Sequence, residues 1–265
     1  MSKSPPPAQE DFYVGYLPTP PRTRKLVLGV SVCVVLGALL LGGAIASQQS
    51  DPGDGVWDTA NETVLQGALV LEPYPALLIP RELGGQPVSD DAPYETVHLV
   101  LPGKFGAQQA VQDLGPGPSE ARGALIQRRG MRMLELKDID AVRRLEGPPA
   151  DLVPADAQAK INPAVVSFTG EIIDPKCYLG VMKPGHGRTH KACGMLCIRG
   201  GIPPMFKVDG QPDAPLLLLA DDQGGSAQTL ALEYFAEPVR ITGRIETRGD
   251  LQVFRVNPDG VGFLD

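Results

Sequence analysis

Aromatic residues are scarce in this chain of 265 residues: one Trp, six Tyr and seven Phe, 5% in all. Glycine and proline are abundant instead, at 31 and 27. That balance disfavours long helices and favours short strands joined by many turns. Positive charge is short as well. The formal net charge is −7, and four of the basic residues (Lys3, Arg22, Arg24, Lys25) fall in the first 25 positions. Beyond them 20 basic residues stand against 29 acidic ones. Such a chain is a poor match to a phosphate backbone, so no nucleic-acid partner is expected.

The common catalytic signatures are missing. Pro102-Gly103-Lys104-Phe105-Gly106 lacks the spacing of a phosphate-binding loop, and no G-x-S-x-G elbow occurs. The chain has no Cys-x-x-Cys-His for covalent haem and no Cys-x-x-Cys exchange motif. The Cys and His pairs of a Rieske centre are absent too. The balance leans away from an enzyme.

Charge is absent altogether from Leu26 to Ala46, a run of 21 residues. As a helix it spans roughly 31 Å, about the hydrocarbon thickness of a bilayer. Arg22, Arg24 and Lys25 precede it directly, and the next Lys or Arg is Arg81. The positive-inside rule then leaves the N-terminus cytoplasmic and exports the rest, to a periplasmic or extracellular space. Ala44-Ile45-Ala46 would suit a signal peptidase, but the run is long for a signal peptide, so an uncleaved anchor is expected. The resulting organisation is a disordered tail over 1–25, a transmembrane helix over 26–46 and a polar linker over 47–61. Trp57 of the linker is expected at the membrane interface.

The remainder repeats itself. Leu65–Tyr74 and Ser167–Lys176 each run apolar, Gly, apolar, then acidic-Pro. Gly123–Leu136 and Gly243–Val256 each read as an alternating strand, an Arg-Gly turn and a second alternating strand. Gly67 to Gly123 covers 56 residues, and Gly170 to Gly243 covers 73. The second copy is therefore longer by 17, and the excess falls in a Cys/His stretch. The expected fold is mainly β: two small barrel units over 62–146 and 163–260, joined by a linker over 147–162. Their pattern resembles OB-like five-stranded barrels, which place one helix between strands three and four. Gln108–Leu114 and Gln228–Phe235 suit that helix. His98 stands alone on a strand and reads as a cross-strand surface residue.

The Cys/His loop, 174–206, holds Cys177, Cys193 and Cys197 with His186 and His190, in the spacing Cys177-x15-Cys193-x3-Cys197. Three readings fit it. The first is a transition-metal site of these five residues, since thiolate and imidazole suit zinc and thiolate suits copper(I). The second is a structural disulfide from Cys177 to Cys193 or Cys197, worth roughly 3 kcal/mol in an exported chain. The third is thiol redox chemistry, favoured by a local excess of cations. Lys183, Arg188 and Lys191 belong to that excess and are candidates for docking an acidic partner.

The block DPKCYLGVMKPGHGRTHKACGMLCIRGGIPP, Asp174 to Pro204, resembles a motif of exported, single-span bacterial proteins. The resemblance implies a membrane-anchored exported chain and no particular reaction. The functional expectation is an accessory protein whose loop binds zinc or copper, or serves electron transfer, beside a membrane oxidoreductase complex. The alternatives are a non-catalytic, disulfide-stapled interaction subunit of such a complex and a thiol oxidoreductase.

Overall fold

A computed structural model describes residues 20–48, 54–86, 92–146, 160–211, 214 and 216–264. Most of the expected tail (1–19) and most of the linker between the repeats (147–159) lie outside the described residues. The chain divides into two compact units, Met1–Asp51 and Pro52–Asp265.

Among the described residues the first unit holds one helix, α1 (Arg24–Ser47). Its mean hydropathy is 2.5, and none of its side chains is buried within the protein. At 24 residues it is roughly 36 Å long, enough to cross a bilayer.

The second unit is mainly β and contains two sheets. The first sheet has β1 (Val56–Val70), β2 (Ala76–Pro80), β3 (Tyr94–Leu101), β4 (Phe105–Gly106), β5 (Gly117–Arg128), β6 (Met131–Leu136) and β7 (Val142–Arg144). The second has β8 (Lys160–Ile173), β9 (Met205–Val208), β10 (Leu217–Asp221), β11 (Val239–Arg248) and β12 (Leu251–Phe263). Short helices α2 (Gln108–Val111) and α5 (Gln228–Tyr234) precede β5 and β11, on two of the segments picked out from sequence.

The two sheets share one pairing scheme. In the first, β1–β2, β2–β3, β6–β5 and β5–β1 are antiparallel and β3–β6 is parallel. In the second, β8–β9, β9–β10, β12–β11 and β11–β8 are antiparallel and β10–β12 is parallel, which closes a barrel. The five pairings recur in the same order and the same sense. Both expected hairpins are present, each with a two-residue turn. Arg129 and Gly130 both have positive φ, the type I′ pattern. Gly249 alone has positive φ in the second turn, as in type II′.

The larger apolar clusters follow from strand alternation. Val97 and Leu99 of β3 join Leu77, Ile79 and Leu134 inside the first sheet. Phe206, Leu219, Val239 and Phe254 fill the second. A third cluster joins the two, with Tyr74, Val100 and Met133 from the first sheet and Leu179, Met205, Leu218 and Leu251 from the second part.

Two expectations are corrected by this packing. β1 starts at Val56, so Trp57 lies in a strand and not in a linker. Its Nε1 donates to Glu135 Oε2 at 3.0 Å, and its ring packs on the third cluster. His98 is not a surface residue. It is 3% exposed, because the outer face of β3 is covered by the second sheet.

Candidate metal centre

Between β8 and β9 the chain builds two short helices. The first, α3 (Pro175–Leu179), begins where Asp174 caps it: Oδ1 accepts from Lys176 N at 2.9 Å and Cys177 N at 3.4 Å, with Pro at the first helical position. All five residues of α3 are buried. After a glycine-rich loop, a 3-10 turn (Arg188–His190) leads into α4 (Lys191–Arg199). Cys193 and Cys197 are four apart on α4 and therefore share one face. That face meets α3.

The result is a cluster of donors. Cys177, His190 and Cys193 bring ligand atoms within 4.8 Å of one another, and so do Asp174, Cys177 and Cys197. Cys177 is common to both groups. All but Cys193 are buried, and Asp174 is fully enclosed. His190 Nε2 stands 3.9 Å from Asp174 Oδ2, and neither atom makes a hydrogen bond within the described residues. Burial raises the Asp174 carboxyl, but His190, Cys197 and Cys177 beside it outweigh that and hold it below its ordinary range. Contact with Cys197, then burial and the Asp174 charge, push the Cys177 thiol up.

The first sheet completes the site. The turn between β3 and β4 docks on the end of α4, where Gly106 N donates to Gly200 O at 3.0 Å. The approach is close: a Cβ at Gly200 would lie 1.9 Å from Lys104 O. This seats Lys104, whose Nζ donates to Cys193 Sγ at 2.8 Å and lies 3.7 Å from Cys197 Sγ. That contact with Cys193 holds the ammonium above its ordinary range. A second lysine, Lys176 of α3, is buried and donates to Leu101 O, Gly103 O and Glu135 Oε1 at 2.7–2.8 Å. It clamps α3 to the turn that carries Lys104.

Of the five expected ligands, four converge and one does not. His186 points elsewhere: Nδ1 is 2.8 Å from Glu171 Oε1, and the ring packs edge-on to Tyr178. Asp174 and Lys104 were missed. The Asp-Pro pair was a readable helix start, but nothing local marks Lys104. The stapled alternative finds no bond, since Cys177, Cys193 and Cys197 are all free thiols. Among the docking candidates Lys183 is exposed, while Arg188 and Lys191 both pair with Glu237, at 2.8 and 2.7 Å.

Three thiols, an imidazole and a carboxylate, in two groups that share Cys177, could hold a metal ion. No protein-family model matches this chain, and neither the curated proteins nor the solved structures give a match.

Proposed function

We propose that this chain is a membrane-anchored accessory protein that binds copper(I) or zinc through Cys177, His190, Cys193 and Cys197, with Asp174 as a further donor. The observation that carries the reading is the meeting of those donors with His190 Nε2 and Asp174 Oδ2 left without hydrogen bonds inside a buried cluster. Buried polar atoms of this kind are rare unless something occupies the space between them. Thiolates and one imidazole are the donor set of tetrahedral zinc and suit copper(I) equally. Lys104 offsets part of the negative charge that several thiolates bring, and donates to one of them as an outer-sphere partner does.

The wider role rests on the sequence. With α1 as an uncleaved anchor and the basic residues ahead of it in the cytoplasm, the β unit faces the periplasm or the outside. There the protein serves a membrane oxidoreductase complex by holding metal or passing electrons. The repeated pairing scheme, with one helix before the fourth strand of each copy, supports two OB-like barrels, the second carrying the metal loop.

The test is elemental analysis and a free-thiol count on the full chain, purified in detergent without chelator. The expected result is about one metal ion per chain in the wild type, lost in His190→Ala and kept in His186→Ala. Absence of metal with two thiols oxidised would overturn the reading in favour of the stapled subunit.

A further inference from the structure

A cavity of about 140 Å³ lies between the two sheets, away from the cysteines. Its walls are mostly apolar and include Ala76, Leu78, Leu218 and the ring of Tyr74. Tyr94, Thr96 and His98 of β3 and the charged side chains of Glu72 and Arg248 also line it. His98 is 3% exposed, and neither of its ring nitrogens makes a hydrogen bond within the described residues. The Thr96 hydroxyl is in the same position.

An imidazole buried with both nitrogens unserved is costly, and native interiors rarely tolerate it. A second space of about 20 Å³ borders the same two residues, with room for a single water. One water there can serve one nitrogen at most. The larger cavity has mostly apolar walls, and a space of this size accepts one six-membered ring. We propose that this cavity binds a small ring compound carrying one hydroxyl or carbonyl group, with the ring against Ala76, Leu78 and Leu218 and the polar group on His98. Burial pushes His98 down to about 4, so at neutral pH the imidazole is uncharged and offers one donor and one acceptor. A hydroxyl can satisfy either. The site stands apart from the metal cluster and does not depend on it.

Phenol is the probe, compared with benzene at matched free concentrations. The measurement is long-range ¹H–¹⁵N NMR of the histidine rings of the full chain in lipid nanodiscs. Phenol is expected to shift the His98 ring signals saturably, with a dissociation constant of about 1 mM or tighter. Benzene is expected to bind about tenfold more weakly, for want of the hydrogen bond. Ala76→Phe, which fills the cavity, is expected to remove the phenol response. Unmoved His98 signals in the wild-type chain at saturating phenol would overturn the proposal, whatever the variant does. Equal affinity for phenol and benzene would overturn the part assigned to His98.

Discussion

The ammonium of Lys104 donates to Sγ of Cys193 across 2.8 Å, although 89 residues separate the two in the chain. A sulfur that accepts from a lysine keeps other lone pairs for a metal, and such outer partners raise metal affinity. Replacing Lys104 by Met is expected to weaken binding about tenfold, read by competition with a chromophoric chelator. Lys104→Arg keeps the donor and should recover most of the loss. An unchanged affinity in Lys104→Met would show that the contact is incidental.

Gly200 decides whether that lysine arrives. A methyl group there would meet Lys104 O at 1.9 Å, and backbone cannot yield as a side-chain tip can. Gly200→Ala is expected to destabilise by about 1–3 kcal/mol in urea unfolding. It should also weaken metal binding as Lys104→Met does, because the turn must lift from α4. A variant that loses stability but keeps wild-type affinity would separate the turn from the site.

Lys176 is a charge buried among two carbonyls and Glu135, with Trp57 stacked 5.5 Å from its Nζ. Removing one partner of a buried pair strands the other. Lys176→Met is expected to cost about 3 kcal/mol or more, seen as a lower denaturation midpoint with an unchanged slope. Little change in midpoint would mean that water already reaches Glu135.

His98 should impose a pH dependence on folding. The unfolded chain takes up a proton on this ring near 6.5, and the folded one only near 4. Between those values the unfolded state binds more protons, so stability falls as pH drops through the window. Charged neighbours along the two cavities, Glu72 and Arg248 on one side and Arg132 and Asp250 on the other, do not remove the burial. Measured at pH 7 and pH 4.5, the wild type should lose more stability than His98→Leu. Equal losses would show that the ring is hydrated.

The hairpins and α1 were legible because each is local. Alternation with a Gly turn marks 123–136 and 243–256, and an uncharged run marks 26–46. The Cys193-x3-Cys197 spacing was legible too, although the helix that carries the pair was read as loop. Barrels were expected from the strand pattern, but the pairings that close them were not read, because the parallel pairs β3–β6 and β10–β12 join strands far apart in sequence. An alternating strand also tells which residues share a face, but not what covers it. That is why His98 read as exposed. The outer part of β1 is mostly exposed apart from Trp57 and Asp58, so Val56–Asn61 carried no period and passed for linker.

The two rings part ways just after their third strand. Beyond β10 the turn folds onto itself, with Gly225 N donating to Asp221 Oδ1 at 2.7 Å. Beyond β3 the matching turn is spent outward, on α4, Lys176 and a cysteine sulfur. Two sheets that share a pairing scheme need not depend on each other. Here the sheet without the sulfur loop is the gatepost of the sheet that has it, and the sulfur-bearing half cut free would keep its three clustered thiols while losing the ammonium beside them and the acceptors of its own buried lysine.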